Sequence, residues 1–485
     1  MKWSKLTRKI SYLDASAVPE TMDIKGITDQ SDKIEEGFIF VAIKGYKVDG
    51  HTYISEAVDN GASVIIGEQE SACAGAPYIQ VDNSRKTLGE LAASFYGYPA
   101  KNKLVIGVTG TNGKTTTGLF LRHLFKNLGY RVAFFGTVFN EMNGQRYEST
   151  LTTPSASMIQ KALAESTDDV VVIEVSSQGL AQHRMEGMSF DYALFTNLQH
   201  DHLDYHKSME AYFFAKKKLF SLLKDSGKAV VNEDSEWGER LTRLLEEEGK
   251  TVITVGETDQ STHYHLESSF SGKCVMNDHT YEIKLPLPGK YNLANLSLAL
   301  TVLNDLGHDL TDLSALLKKL DPMPGRFEGY NLSDKVYGII DYAHTAEALQ
   351  ALLPTIKELY AQYKLVHVFG FRGNRDSTKR DKMVDISTHY SDETILTLDD
   401  LNGVSIEDMQ RDYISQQDRK SQKQLRVILD RTRAINEVVE SATVPTLIVV
   451  SGKGHEPYKE TFELPSNSDK ETFQLLTASK SINNI

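Results

Sequence analysis

The run Val108-Thr-Gly-Thr-Asn-Gly-Lys-Thr-Thr-Thr117 carries the residue types needed to grip a nucleoside triphosphate. Gly110 and Gly113 would let the amides of the loop, Thr111 and Asn112 included, approach phosphate oxygens. Lys114 reaches the outer phosphates, and the hydroxyl of Thr115 or Thr116 can ligate Mg²⁺. The loop is shorter than the common G-x-x-x-x-G-K-[ST] form, because Val108 stands five places before Gly113. Such chemistry needs a strand in front and a helix behind. The apolar stretch Leu104 to Ile106 supplies the first; Leu121, Leu124, Phe125 and Leu128, recurring at helical spacing and closed by Gly129, supply the second. These flanks separate the motif from a glycine turn without a ligand.

A second cluster joins Glu174-Val-Ser-Ser-Gln-Gly179, which ends one apolar run, to Asn197-Leu-Gln-His-Asp-His-Leu-Asp-Tyr-His206, which ends another. Parallel strands bring such ends to one sheet edge, the edge that also carries the phosphate loop. Carboxylates and imidazoles beside a triphosphate suit Mg²⁺, a cation of hard oxygen ligands. The four-residue spacing of His202 and His206 admits zinc, but the neighbouring phosphate loop argues for magnesium. Three lysines in Ala215-Lys-Lys-Lys-Leu219 follow on a helical segment, and composition selects none of them.

The elements that must position these groups form a chain of 485 residues, more than one core usually serves, so three domains are expected. Continuous apolar runs at Leu104 to Val108, Val170 to Val175, Tyr192 to Thr196 and Ala229 to Val231 predict strands buried on both faces, hence a largely parallel sheet of α/β class. Residues 1–100 read as a small α/β domain with strands at Phe38 to Ile43 and Ala62 to Ile66. Residues 101–326 form a central domain with added antiparallel strands between about 251 and 286. Residues 327–485 form a third domain with strands at Val336 to Ile340, Leu365 to Phe369, Ile395 to Thr397 and Thr446 to Val450. The polar stretch Gly403 to Gln424 reads as an exposed insertion or surface helix.

Lys and Arg total 53 against 66 Asp and Glu, a formal net charge of −13, which opposes a broad nucleic-acid surface and suits small ligands. Cys73 and Cys274 are the only cysteines and stand far apart, so neither a disulfide framework nor a cysteine zinc site is expected. Met1-Lys-Trp-Ser-Lys-Leu lacks the apolar core of a signal peptide, and no run approaches a membrane span, so a cytoplasmic protein is expected.

Together the residues resemble the Mur ligases of peptidoglycan synthesis, of the MurE type that adds the third residue of the stem peptide. The carriers run through nearly the whole chain: Phe40-Val-Ala-Ile-Lys-Gly45 with Asp49-Gly-His51, the phosphate loop, Thr152-Thr-Pro154, Glu174-Val-Ser-Ser177, Asp201-His-Leu-Asp-Tyr-His206, Ala215-Lys216, Tyr291-Asn292, Gly325-Arg-Phe-Glu328, Asp341-Tyr-Ala-His-Thr345, Gly373-Asn-Arg-Asp-Ser-Thr-Lys-Arg380 and Ser451-Gly-Lys-Gly-His-Glu456. The resemblance implies a three-domain architecture: a UDP-sugar-binding first domain, a central P-loop ATPase domain and a Rossmann-like C-terminal domain that binds the amino acid. It implies ATP and Mg²⁺, with Lys114, Thr115 and Thr116 on phosphates and a first magnesium, Glu174 and His202 as ligands, and Lys216 as a lysine carbamylated by CO₂. Lys44, Gly45, Thr152, Thr153, Ser176, Gln182 and Arg184 would grip the UDP-N-acetylmuramoyl dipeptide. Asn295 and Arg326 would contact adenine and phosphate, and Asp341 and His344 would close over ATP. Arg375 would hold the α-carboxylate of the amino acid, Glu456 its amino group, with Asp399, Asp400, Asn402 and Gly452 nearby. The implied reaction converts a carboxylate to an acyl phosphate, which the amine attacks, in a protein acting as a monomer without nucleic acid or membrane partners.

In relatives that use meso-diaminopimelate, a D-N-P-R motif presents an arginine to the distal carboxylate. Here the aligned stretch is Asp399-Asp-Leu-Asn402. Asn402 lacks the charged fork, and Asp400 adds negative charge, so L-lysine is expected, L-ornithine next, with meso-diaminopimelate disfavoured. If the insertion after Asn402 shifts the register, Arg411 would supply the guanidinium instead. Gln30 stands where the family usually has serine, which questions one uridine contact, and Asn374 replaces a frequent aspartate. Two other readings are a Mur-like paralogue with a different carboxylate acceptor, as in folylpolyglutamate synthases, and a regulatory protein without turnover. Retention of Lys114, Glu174, His202 and Lys216 opposes the last.

Overall fold

The computed structural model describes residues 1–10, 13, 18–45, 48–70, 75–258, 260–318, 320–420 and 424–482. Cys73 lies outside these, whereas Cys274 is a free, buried thiol. Three sheets succeed one another along the chain. The first is parallel throughout, with spatial order Gly26–Thr28, Phe38–Val41, Ala62–Gly67, Tyr78–Gln80.

The second sheet has eleven strands, and its middle runs Thr251–Gly256, Leu223–Asn232, Phe190–Phe195, Leu104–Thr109, Val170–Glu174, Val132–Phe135, all parallel. Every residue of Val170–Glu174 is buried, as a β-branched run covered on both faces requires. Helix Lys114–Asn127 packs on this sheet through Phe120, Leu121, Leu124 and Phe125. It ends where expected: Gly129 has φ of 88° and donates its amide to Lys126 O. Beside it lies Lys290–Asp305, a helix buried almost all round. Thr262–Ser268 adds a further parallel strand beside Thr251–Gly256, and antiparallel strands then extend both edges: Ser271–Met276 and His279–Lys284 on that side, Asn140–Met142 and Gln145–Tyr147 on the other.

The third sheet orders Glu328–Ser333, Val336–Ile340, Thr446–Val450, Lys364–Phe369, Glu393–Leu396 and Leu425–Val427, antiparallel only in its first pair. The polar stretch after Gly403 contains helix Ile406–Lys420, and it is not merely a surface element. Met409 and Tyr413 are buried in the third core; the Tyr413 hydroxyl donates to Thr397 O at 2.8 Å and accepts from Phe371 N at 3.2 Å. Two apolar anchors one turn apart suffice to dock a helix whose other faces are charged. Among the described residues no helix is long and apolar enough to cross a membrane.

Candidate active site

Because the parallel strands of the second sheet end together, the phosphate loop, Glu174 and the segment after Phe195 meet at one edge. The glycines of the loop are required by closeness. A Cβ on Gly110 would lie 1.8 Å from Thr196 Oγ1, and one on Gly113, at φ of 88°, 2.3 Å from Asn295 Oδ1. Lys114 folds back so that Nζ donates to Gly110 O at 2.8 Å and Thr111 O at 2.9 Å. Lys216 also donates to Gly110 O, at 2.6 Å, with Nζ 4.5 Å from the Tyr212 ring centroid. Two amines thus converge on one carbonyl. Burial, reinforced by the charge of Lys114, holds Lys216 well below the usual lysine range, so its amine is biased toward the neutral form. Of the three adjacent lysines, Lys216 alone is buried; Lys217 pairs with Glu248 and Lys218 is exposed.

Glu174 is fully buried, and its carboxylate accepts from Thr115 Oγ1 at 2.8 Å and from Thr137 N at 3.0 Å. A hydroxyl and a carboxylate in contact at the phosphate loop form a hard-oxygen donor pair, which fits magnesium shared with phosphate oxygens. Among the described residues no three His, Cys, Asp or Glu side chains converge closely enough to hold a metal ion by themselves. The zinc spacing does not make a pair, since His206 bonds Ser177 Oγ at 2.9 Å and stacks on Tyr212. His202, at φ of 55°, is held neutral at about 4 by burial.

The third sheet contributes the opposite wall. Asp341 caps the chain by accepting from Phe327 N at 2.9 Å and Ala343 N at 2.8 Å, and Arg326 lies over the Tyr342 ring at 4.4 Å. Bonds cross between the two units: Asn112 Nδ2 to Thr345 Oγ1 at 3.1 Å, Lys379 to Asp201 at 2.9 Å, His200 to Asp376 at 2.6 Å, Arg375 to Asp204 at 3.3 Å, with His344 Nε2 3.5 Å from Asp201. Between the walls lies a cavity of about 1030 Å³, at the upper end of the range for ligand sites and roomy for a nucleotide beside a second substrate.

The cavity wall includes Thr111 through Thr116, Thr152, Ser176, Arg184, His202, Lys216, Asn295, Arg326, Asp341, His344, Arg375, Asp399, Asp400 and Glu456. Several expected residues stand off it. Thr153 is fully buried and spends its hydroxyl on Glu174 O at 2.9 Å; Gln182 accepts from Arg184 at 2.8 Å. Lys44 and Gly45 lie in the first unit, where Gly45 N donates to Val48 O at 3.0 Å, and Gly452 O accepts from Arg372 at 3.3 Å. Asn402 turns its amide to Gly373 O at 3.2 Å and Asp400 O at 3.4 Å, holding its own loop. Arg411 pairs with Asp408 on an exposed helix face, so it cannot stand in for the missing arginine.

The charge expected of Asp400 is already compensated. Lys453 lies 2.6 Å and Lys459 2.8 Å from its two oxygens, 53 and 59 residues later in the chain. Burial opposes ionisation of Asp399, yet Arg372 and Lys453 outweigh it and hold the carboxyl at about 2. An unpaired negative patch for a cationic side chain is therefore not what this end of the cavity offers. Arg372, Asp201 and Lys379 also line the cavity without being singled out by the motifs; the last two lie inside Asp201–His206 and Gly373–Arg380, where their charges are the available signal.

Burial also keeps His206 and His455 at about 4 and His367 at about 3. Unfolded histidine titrates near 6.5. Between about 6.5 and about 4 the unfolded chain takes up protons that the folded chain refuses, so stability is lost as pH falls through that window. Melting temperature is expected to drop steeply from pH 6.5 to 4.5; a flat profile would show that these imidazoles are not held neutral.

Three family models match the chain: "Mur ligase family, catalytic domain" over residues 23–96, "Mur ligase middle domain" over 108–303, and "Mur ligase, glutamate ligase domain" over 325–454. A UDP-N-acetylmuramoyl-L-alanyl-D-glutamate–2,6-diaminopimelate ligase of Haemophilus influenzae (strain PittEE) is 36% identical over 456 residues, covering 90% of this chain and 93% of its own. The protein of that name from Prochlorococcus marinus is 35% identical over 464 residues, covering 90% of each chain. A solved structure of a ligase with the same name superimposes with TM-score 0.68 at 28% identity, covering 99% of both chains. The fold is shared with MurF ligase from Thermotoga maritima in complex with ADP, TM-score 0.66 at 20% identity, over 96% of this chain and 99% of that one.

Proposed function

Since the chain belongs to the Mur ligase family, we propose that it is an ATP-dependent acid–amino acid ligase that adds the third amino acid to UDP-N-acetylmuramoyl-L-alanyl-D-glutamate in peptidoglycan synthesis. The observation that carries this reading is the shared cavity, on which the phosphate loop and Lys216 of one unit face Asp341, His344, Arg375 and Glu456 of another, with Glu174 buried just behind the loop on Thr115 Oγ1. We take the unit boundaries near residues 100 and 326, and a cytoplasmic monomer, as parts of the same reading.

The residues act by position and charge. Lys114 and Arg326 neutralise the phosphates of ATP while the acceptor carboxylate takes the terminal phosphoryl group and ADP leaves; attack of the amine on the acyl phosphate then expels phosphate. Thr115, Glu174 and His202 would hold magnesium, which when bound offsets phosphate charge. Lys216, buried and biased toward its neutral amine, is chemically ready to take up CO₂ and become an oxygen-bearing anion. Thr152, Ser176 and Arg184 hold the dipeptide end of the acceptor. Arg375 holds the backbone carboxylate so that the α-amine meets the acyl carbon, Glu456 receives the amino group at the side-chain end, and the bonds between units would hold the arrangement in which this happens.

For the added amino acid, Asn402 in place of an arginine speaks for L-lysine, but Lys453 and Lys459 take up the Asp400 charge on which that argument leaned, and the relatives are named for 2,6-diaminopimelate. The test is phosphate release with ATP, Mg²⁺, bicarbonate and the acceptor, comparing L-lysine, L-ornithine and meso-diaminopimelate with product masses recorded. Phosphate release coupled to a tripeptide product, slowed when bicarbonate is withheld, is the expected result. Silence with all three amino acids would defeat the acceptor assignment and favour a paralogue with another carboxylate substrate.

A further inference from the structure

Arg372 follows strand Lys364–Phe369 and stands between Glu456 and the Asp399–Asp400 pair, on the cavity wall. Its Nη2 donates to the Glu456 carboxylate and to Gly452 O at 3.3 Å, while its Nε lies 3.9 Å from Asp399 Oδ1. That Nε is buried and makes no hydrogen bond among the described residues. Five residues set the polarity here. Asp400 is spent on Lys453 and Lys459, and Asp399 faces Lys453 and Arg372. Asn402 is turned into its own loop, and Arg411 is off the wall. Glu456 accepts from Tyr342 Oη at 2.7 Å as well as from Arg372, so the carboxylate that would receive a substrate amino group is held by a guanidinium. When an ammonium takes Glu456, Arg372 is left with its planar fork of donors and one unmet N–H beside the amino acid.

Resting on the ligase reading above, we propose that Arg372 selects the amino acid by taking a carboxylate at the end of its side chain. The substrate class is then an α-amino acid with a distal carboxylate, preferred over one that ends only in an ammonium. A guanidinium suits this because its donors match both oxygens of a carboxylate, and it repels a cationic side-chain end at the same spot. Arg372 replaces, from the neighbouring loop, the arginine absent at position 402: Gly373 N bonds Asp400 O at 2.8 Å, so the two loops are joined.

L-Lysine and meso-diaminopimelate differ only in the distal carboxylate, which makes them the probes. Wild-type protein is expected to favour meso-diaminopimelate in kcat/KM by about 10- to 100-fold, the range for a charge-assisted hydrogen-bonding pair. Arg372→Met should erase that ratio, mainly through KM for meso-diaminopimelate, with the L-lysine value and the KM for ATP changed less than about fivefold. Arg372→Lys keeps the charge without the fork and should fall between. If Arg372→Met fails to fold, a loss of at least about fivefold in the ratio for Arg372→Lys carries the test. A wild-type preference for L-lysine, or equal losses with both amino acids, would overturn the assignment and leave the ligase reading intact. No product with either would overturn the ligase reading, and this assignment with it.

Discussion

Lys114→Ala is expected to lower ATP-dependent phosphate release by about 10²- to 10³-fold, the loss typical when one preorganised charge partner of a reacting anion is removed. The physical basis is the pair of amines on Gly110 O, at 2.8 Å from Lys114 and 2.6 Å from Lys216. Burial holds both lysines below their ordinary range, against the pull of Asp201. A buried cation without a carboxylate in hydrogen-bond contact is costly unless an anion arrives. The variant should therefore melt no earlier than wild type while losing turnover and nucleotide affinity. Phosphate release read beside a thermal scan separates the two effects. Unchanged release would remove the phosphate-loop assignment.

The largest loss of stability is expected from Asp469→Ala. Asp469 and Arg431 are fully buried and joined by two bonds, 2.6 Å at Nε and 2.8 Å at Nη2. Arg431 also donates to Ser451 O at 2.9 Å, and Tyr458 Oη to Asp469 at 2.9 Å. Removing the carboxylate leaves a guanidinium unpaired in the core of the third unit, a change that costs about 3–5 kcal/mol. Calorimetry should show a transition at lower temperature than any in the wild type. The double variant Arg431→Met/Asp469→Leu should recover most of the loss, because the pair's own desolvation is then relieved. A single variant as stable as wild type would show that the pair contributes nothing.

The central strands were legible because a strand covered on both faces must be apolar along its length, and Val170–Glu174 is wholly buried. Edge strands escaped notice for the converse reason. Gln145–Tyr147 is exposed at every position and Leu425–Val427 at one of three, so pairing rather than burial makes them strands. Helix Ile406–Lys420 was read as surface because Met409 and Tyr413 are few among many charges, though two anchors dock it. Within the site, Lys114 and Glu174 were legible as a cation in a glycine loop and a carboxylate ending an apolar strand. Lys216 could not be told by composition from Lys217 and Lys218; burial on the inward face of its helix singles it out.

Local chemistry is what this sequence determines by itself: a phosphate loop between strand and helix, buried parallel strands, carboxylates and imidazoles at strand ends, and a family likeness in their order. These depend on neighbours a few residues apart, whose periodicity and backbone freedom are written in the chain. The balance of charge around the amino acid was decided by tertiary structure alone. Asp400 reads as an open negative charge until the fold brings Lys453 and Lys459 onto its two oxygens, and Arg372, outside every motif of the sequence, gains its place only when Glu456 and Asp399 close around it. Electrostatic energy falls with distance in space, not along the chain, so polarity at this end of the cavity belongs to the folded molecule.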